Sequence, residues 1–255
     1  MIALVQEFYA HWMIYLVMAF LTFVNIVIPV SGSSTQTPLI AIITGDAHYA
    51  IAVSTWLLMI SCAIIAFVFR KNIRPEYVWR MLPASIVAAM LGALLLVQLP
   101  DVLVTILLLL AATHFAIKTF RHLRNKTEPK RPSLHALSLV GAVSGFLQGM
   151  GLPGGTVRLG YLFSEGLTVE EVRGTAELLT FFAFAAANIV RFYEHQLTGT
   201  DMLHWTLIFA PLLLIATYLG HHVLVRLPSR VKDAIVLITV LSIVVGLVVR
   251  IVHLL

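Results

Sequence analysis

The sequence predicts an all-α polytopic membrane protein made of two inverted-topology repeats. Three observations lead there: the composition, a series of long apolar runs, and the placement of the basic residues. Of the 255 residues, 60% are hydrophobic and 11% are charged. Soluble domains carry about 45–50% apolar and about 25% charged residues. One core cannot enclose so much apolar surface, whereas a bilayer solvates it. The formal charge is +5. Its basic residues sit in short connections between apolar runs, so topology accounts for them and nucleic acid is not implied. The single cysteine, Cys62, excludes an internal disulfide and argues against a cysteine metal cluster. Met1 to Trp12 contain no Lys or Arg, and no small-residue cleavage site follows. The first segment is therefore read as retained and not as a cleaved signal.

Spanning helices need about 20 mostly apolar residues. Long apolar runs fall at 11–30, 48–69, 81–98, 101–118, 134–150, 172–193, 203–225 and 233–253. Two shorter apolar arms, 36–44 and 155–163, each follow a Gly/Ser/Pro-rich break. Arg70, Lys71, Arg74 and Arg80 follow the second run. Lys118, Arg121, Arg124, Lys126, Lys130 and Arg131 occupy the central linker and its approach, and Arg226, Arg230 and Lys232 precede the last run. Together they are most of the 17 lysines and arginines, and the positive-inside rule places all three connections in the cytoplasm.

That orientation forces segment 134–163 to leave the cytoplasm and return to it, with its breakpoint at Gly149–Gly155. By the same reasoning segment 11–44 enters from outside and returns there. Each half is then a broken, re-entrant helical hairpin plus three transmembrane helices, and the second half is inverted relative to the first. The expected boundaries are 1–120 for the first repeat, 121–133 for a cytoplasmic linker and 134–255 for the second repeat. Both termini are expected on the external, periplasmic side of an inner membrane. The halves share a layout. IPVSGSSTQTPLIAIITG precedes AVSTWLLM, and GMGLPGGTVRLGYLFSEG precedes RGTAELLT. Each has a small-residue break, an apolar arm, a Gly-containing turn and a threonine early in the next span, Thr55 or Thr175.

Irregular backbone at membrane depth persists only where it is buried in protein or lines a cavity. The arms after the breaks should turn their N-terminal amides and positive dipole ends toward the interruption, which favours an anion. The candidate binding set is Gly32, Ser33, Ser34, Thr35, Gln36 and Thr55 from the first half. Gly151, Gly154, Gly155, Thr156, Arg158 and Thr175 come from the second. Small residues that only permit close helix packing are the plainer reading. Arg158 lies in an apolar arm and is either an anion ligand or half of an internal ion pair with Glu177. Glu177 is a candidate coupling group or a headgroup-level acid. Asn188 reads as a helix-packing amide, and Arg191, near the outer end of its span, as a side chain that snorkels to the interface. Thr168 and Glu171 form a capping-box pattern. No catalytic or metal-binding spacing appears among the ten histidines.

The stretch VGAVSGFLQGMGLPGGTVRLGYLFSEGLTVEEVRGTAELLTFFAFAAANIVRF resembles the sulfite exporter TauE/SafE family, also described as the toluene sulfonate uptake permease group. The family pattern is a Gly-rich break, an apolar arm, a Gly turn, R-x-T, and an Asn followed by an Arg. Its elements correspond to Gly151, Pro153, Gly154, Gly155, Gly166, Arg173, Thr175, Asn188 and Arg191. The first half is similar through Pro38, Ala52 to Thr55 and LPASIVAAMLGALL. Three departures stand out. The first break reads SGSSTQT where the family carries several glycines, the second has the order P-G-G, and Arg158 replaces an apolar residue. They point to a more polar or larger anion than sulfite, or to one held more strongly.

The resemblance implies movement of sulfite, sulfonates or related sulfur-containing anions across the membrane. The reading is a secondary transporter working by alternating access, with the anion between the breaks near the midplane. Proton or sodium coupling and a homodimer are compatible with it. No cofactor is implied, and no nucleotide-binding motif is present. The alternatives are an intramembrane enzyme or a non-transporting membrane scaffold. No G-x-S-x-G surrounds Ser31, Ser33 or Ser34, and a scaffold would need neither break.

Overall fold

The computed structural model describes residues 36–124, 137–196 and 198–219. It also describes Trp12, Leu16, Ala19, Phe20, Val244, Val245, Val248, Val249 and Val252. The described residues form eight α-helices. They are α1 (Gln36–Thr44), α2 (Ala47–Val68), α3 (Pro75–Gln98), α4 (Asp101–Arg124), α5 (Leu137–Gly149), α6 (Gly154–Ser164), α7 (Val169–Tyr193) and α8 (Gly199–Leu219). By length and composition α2, α3 and α7 can each cross a membrane. At about 1.5 Å per residue, α5 is about 20 Å long and α6 about 16 Å. Neither spans a hydrocarbon core of about 30 Å by itself.

Local chemistry explains most boundaries. The two short arms occupy almost the segments expected for them. Each ends at a glycine in the left-handed region, Gly45 at φ 72° and Gly166 at φ 80°, where a side chain would be strained. Asp46 then caps α2 by accepting from the Tyr49 amide. Thr168 caps α7 in a full capping box with Glu171. Helix α3 begins at Pro75, six residues before the apolar run itself. Proline is preorganised for a first helical turn, and exposed Trp79 and Arg80 extend that turn beyond the apolar stretch.

Packing fixes the relative directions. The beginning of α2 lies beside the end of α7, with Thr55 Oγ1 donating to Asn188 Oδ1 at 2.9 Å. The chain just beyond α2 lies beside the start of α7, where the Arg74 amide donates to Thr175 Oγ1 at 3.0 Å. These two helices are antiparallel. Helices α3 and α5 instead run parallel along a glycine seam. A Cβ on Gly141 would stand 3.0 Å from Met81 Cα. One on Gly145 would stand 2.8 Å from Ser85 Cα, and one on Gly149 3.0 Å from Ala89 Cα. Three glycines at i, i+4 and i+8 thus let α5 lie directly on the α3 backbone, as membrane helices do where small residues meet. Helix α7 runs parallel to α3, through Val78 with Val172 and Ala93 with Ala187 and Val190.

Candidate functional site

The second interruption occupies Met150–Pro153, between α5 and α6. Gly151 adopts φ 74°, and a Cβ there would meet the Ile51 side chain at 2.6 Å. The Leu152 amide returns to Leu147 O at 2.8 Å, and the Gly154 amide to Leu152 O at 2.7 Å. The Thr156 amide and hydroxyl both donate to Pro153 O, at 3.2 Å and 2.7 Å. So tight a turn engages the amides of Gly154 and Thr156 locally, which leaves positive charge here chiefly to side chains. Gly154 also serves packing, because a Cβ would lie 2.9 Å from Gln148 Cγ. Gly155 is buried next to it.

Candidate residues from both halves meet on one turn of α2. Gln36 and Thr37, the first residues of α1, are buried, and Thr37 Oγ1 lies 2.8 Å from Ser54 Oγ. Gly151 rests on Ile51, and Thr55 Oγ1 lies 2.7 Å from Ile51 O. The start of the first arm and the second break therefore bear on residues 51–55. Gly32, Ser33, Ser34 and Thr35 lie outside the described residues.

Two arginines are fully buried beside the interruption, each 0% exposed. Arg158, on α6, donates through Nη1 to Thr180 Oγ1 at 2.9 Å and to Ala176 O at 3.4 Å. Through Nη2 it donates to Ser85 Oγ and Ser144 Oγ, both at 2.9 Å, and to Gln148 Oε1 at 3.1 Å. These neutral acceptors tie α3, α5, α6 and α7 together. Gln148 adds its own bond to Thr180 at 3.1 Å. The pair expected between Arg158 and Glu177 is not formed as a direct contact among the described residues. Glu177 adjoins Ala176 on α7 and makes no ion pair among the described residues.

Arg191 corrects the sequence reading. It does not snorkel to the interface but points inward, with Nη1 donating to Thr55 Oγ1 at 3.1 Å and to Asn188 Oδ1 at 3.2 Å. Its Nη2 donates to the Gly149 carbonyl, the last of α5. A cation at a helix C-terminus meets the negative end of its dipole. The interrupted helix α5 supplies that terminus inside the protein, so burial is favoured over the interface. Asn188 makes the helix-packing bonds expected of it, to Thr55 and, through Nδ2, to Met59 Sδ at 3.9 Å.

Thr175 is not brought to this place. It is buried near the start of α7, bonded to the Arg74 amide, about 24 Å along the helix from Arg191. Ser85, Ser144, Gln148, Thr180 and Arg191 were not singled out as site residues by sequence reasoning. Their signal was present, because polar side chains within apolar runs seek partners inside the bundle.

Fold and site together define a polytopic helical membrane protein whose interrupted helix ends at a buried cationic centre. The family model of the sulfite exporter TauE/SafE proteins matches residues 14–248, nearly the whole chain. The chain belongs to that family and is an integral membrane protein. No curated protein and no solved structure gives a match.

Proposed function

We propose that this chain is a secondary transporter of small sulfur-containing oxyanions, sulfite or sulfonates, which it exposes alternately to the two sides of a cell inner membrane. The observation that carries the proposal is the pair of fully buried guanidiniums at the interruption, held by neutral acceptors. A buried cation is stabilised when a charged partner joins it. A polar anion arriving at this turn would supply that charge. The substrate set is Gly32, Ser33, Ser34, Thr35, Gln36, Thr55, Gly151, Gly154, Gly155, Thr156 and Arg158. Thr175, about 24 Å along α7 from Arg191, lies apart from this turn, and Glu177 is the coupling candidate if protons drive the cycle.

An inverted repeat is part of the proposal. The order short, long, long in α1, α2 and α3 recurs in α6, α7 and α8. Left-handed glycines close both arms, capped starts follow both, and α2 runs antiparallel to α7. These features support repeats at 1–120 and 134–255 with external termini.

Proteoliposomes containing the full chain and loaded with radiolabelled sulfite test the function. Saturable efflux, reduced by excess unlabelled sulfite or methanesulfonate and absent from protein-free vesicles, is expected. Efflux no faster than from empty vesicles, under both a proton and a sodium gradient, refutes the proposal.

A further inference from the structure

Arg158 and Arg191 reach neighbouring residues at the end of α5, Gln148 and Gly149, but their donors are used differently. A guanidinium has five N–H donors in a planar fork. The four Nη protons of Arg158 face five acceptors on three other helices. Only its Nε–H lacks a partner. Arg191 has two acceptors for Nη1, one for Nη2, and none for Nε–H among the described residues. Among the described residues Arg191 thus keeps its Nε–H and one of its two Nη2 protons unpaired, on nitrogens that share the side-on edge of the plane. That edge suits two oxygens on one central atom.

The charges differ in the same direction. An acid, Glu177, adjoins Ala176, whose carbonyl accepts from Arg158 at 3.4 Å. No acidic group acts on Arg191 among the described residues, where the one ion pair is Arg74 with Glu171. Arg191 is also where the two halves meet, since Thr55 binds it from α2 and Gly149 from the interruption.

We propose that Arg191 carries the main charge recognition of the transported oxyanion, through its Nε–H and Nη2–H. Thr55 and Asn188 hold the guanidinium plane in place. Arg158 is a positioning residue that locks four helices around the interruption. The inference rests on the transporter reading and assigns its charge-recognising residue.

Sulfite titrated into the purified full chain in detergent, followed by calorimetry and by the ligand-dependent rise in melting temperature, tests it. Arg191→Lys keeps the charge but lacks the fork, so its affinity is expected to fall at least tenfold. Arg74→Lys, the same change at the exposed ion pair with Glu171, is expected to bind within threefold of the parental chain. Asn188→Asp sets a carboxylate where Oδ1 already lies 3.2 Å from Nη1. This internal counter-ion should weaken sulfite at least tenfold while raising the melting temperature without ligand.

Sulfite binding within threefold of parental in Arg191→Lys or Asn188→Asp overturns the assignment. So does a lower ligand-free melting temperature in Asn188→Asp, which shows that Arg191 had no charge left to offset. Should Arg191→Lys fail to fold, Asn188→Asp decides. A parental chain that binds neither sulfite nor methanesulfonate overturns the transporter reading and this inference together. Parental binding with unaffected variants overturns the inference alone.

Discussion

Replacing Gly145 by Ala should loosen the centre of the molecule without removing any polar side chain. The new Cβ would stand 2.8 Å from Ser85 Cα and 2.9 Å from Ser85 C, closer than carbon atoms approach without repulsion. Comfortable contacts begin near 3.5 Å, so α3 and α5 must separate by roughly 1 Å. Overpacking of this kind costs about 1–3 kcal/mol. Separation also reaches Arg158, whose Nη2 bridges Ser85 on α3 and Ser144 on α5 at 2.9 Å each. A gap wider by that amount cannot keep both bonds, and a lost bond to a charged donor is worth about 1.5–3 kcal/mol more. The combined loss of about 2.5–6 kcal/mol corresponds to a fall in melting temperature of about 5–24 °C for a chain of this size. Scanning fluorimetry of the purified protein measures it. Gly199→Ala is the control, because nothing lies within 4 Å of its Cβ position and no positive φ is present. A Gly145→Ala melting temperature within 2 °C of parental would show that the seam is not close-packed, and the account of Arg158 as a lock would fall with it.

Two further outcomes are expected. Asp101 Oδ1 accepts from the buried Ala47 amide at 2.8 Å and so helps to cap α2 from α4. Asp101→Ala should lower stability by about 1–2 kcal/mol, and an unchanged melting temperature would refute the capping role. In the proposed topology Glu128, in the linker, faces the cytoplasm and Ala3 the outside, so cysteines introduced at these two positions should label from opposite sides of intact inverted and right-side-out vesicles. Labelling of both from the same side contradicts the inverted repeat.

Much of the helical layout was legible because it depends on short-range chemistry. The arms α1 and α6, the Thr168 capping box and the glycines that end both arms all follow from residues within a few positions of each other. Arg191 was misplaced for the opposite reason. Counted along its own helix it reaches the outer end, where interfacial arginines belong. What draws it inward is the terminus of α5 and the hydroxyl of Thr55, remote in sequence. The partners of Arg158 were hidden in the same way. Ser144 and Gln148 share one face of α5 by their spacing, but nothing local announces that Ser85 and Thr180 complete the set. The glycines of GAVSGFLQG signalled close packing as well as an interruption, and they serve both purposes.

The parallel seam limits how this molecule can move. It joins α3, from the first half, to α5, from the second, backbone against backbone, with no intervening side chain to slide or flex. Two halves stapled in this manner cannot swing apart as independent bodies without tearing the staple. Conformational freedom then falls to the short arms, each of which ends in a glycine joint, Gly45 or Gly166, with open space around it. The proposed exchange of an anion would then fall to these two small levers, moving against a stationary frame.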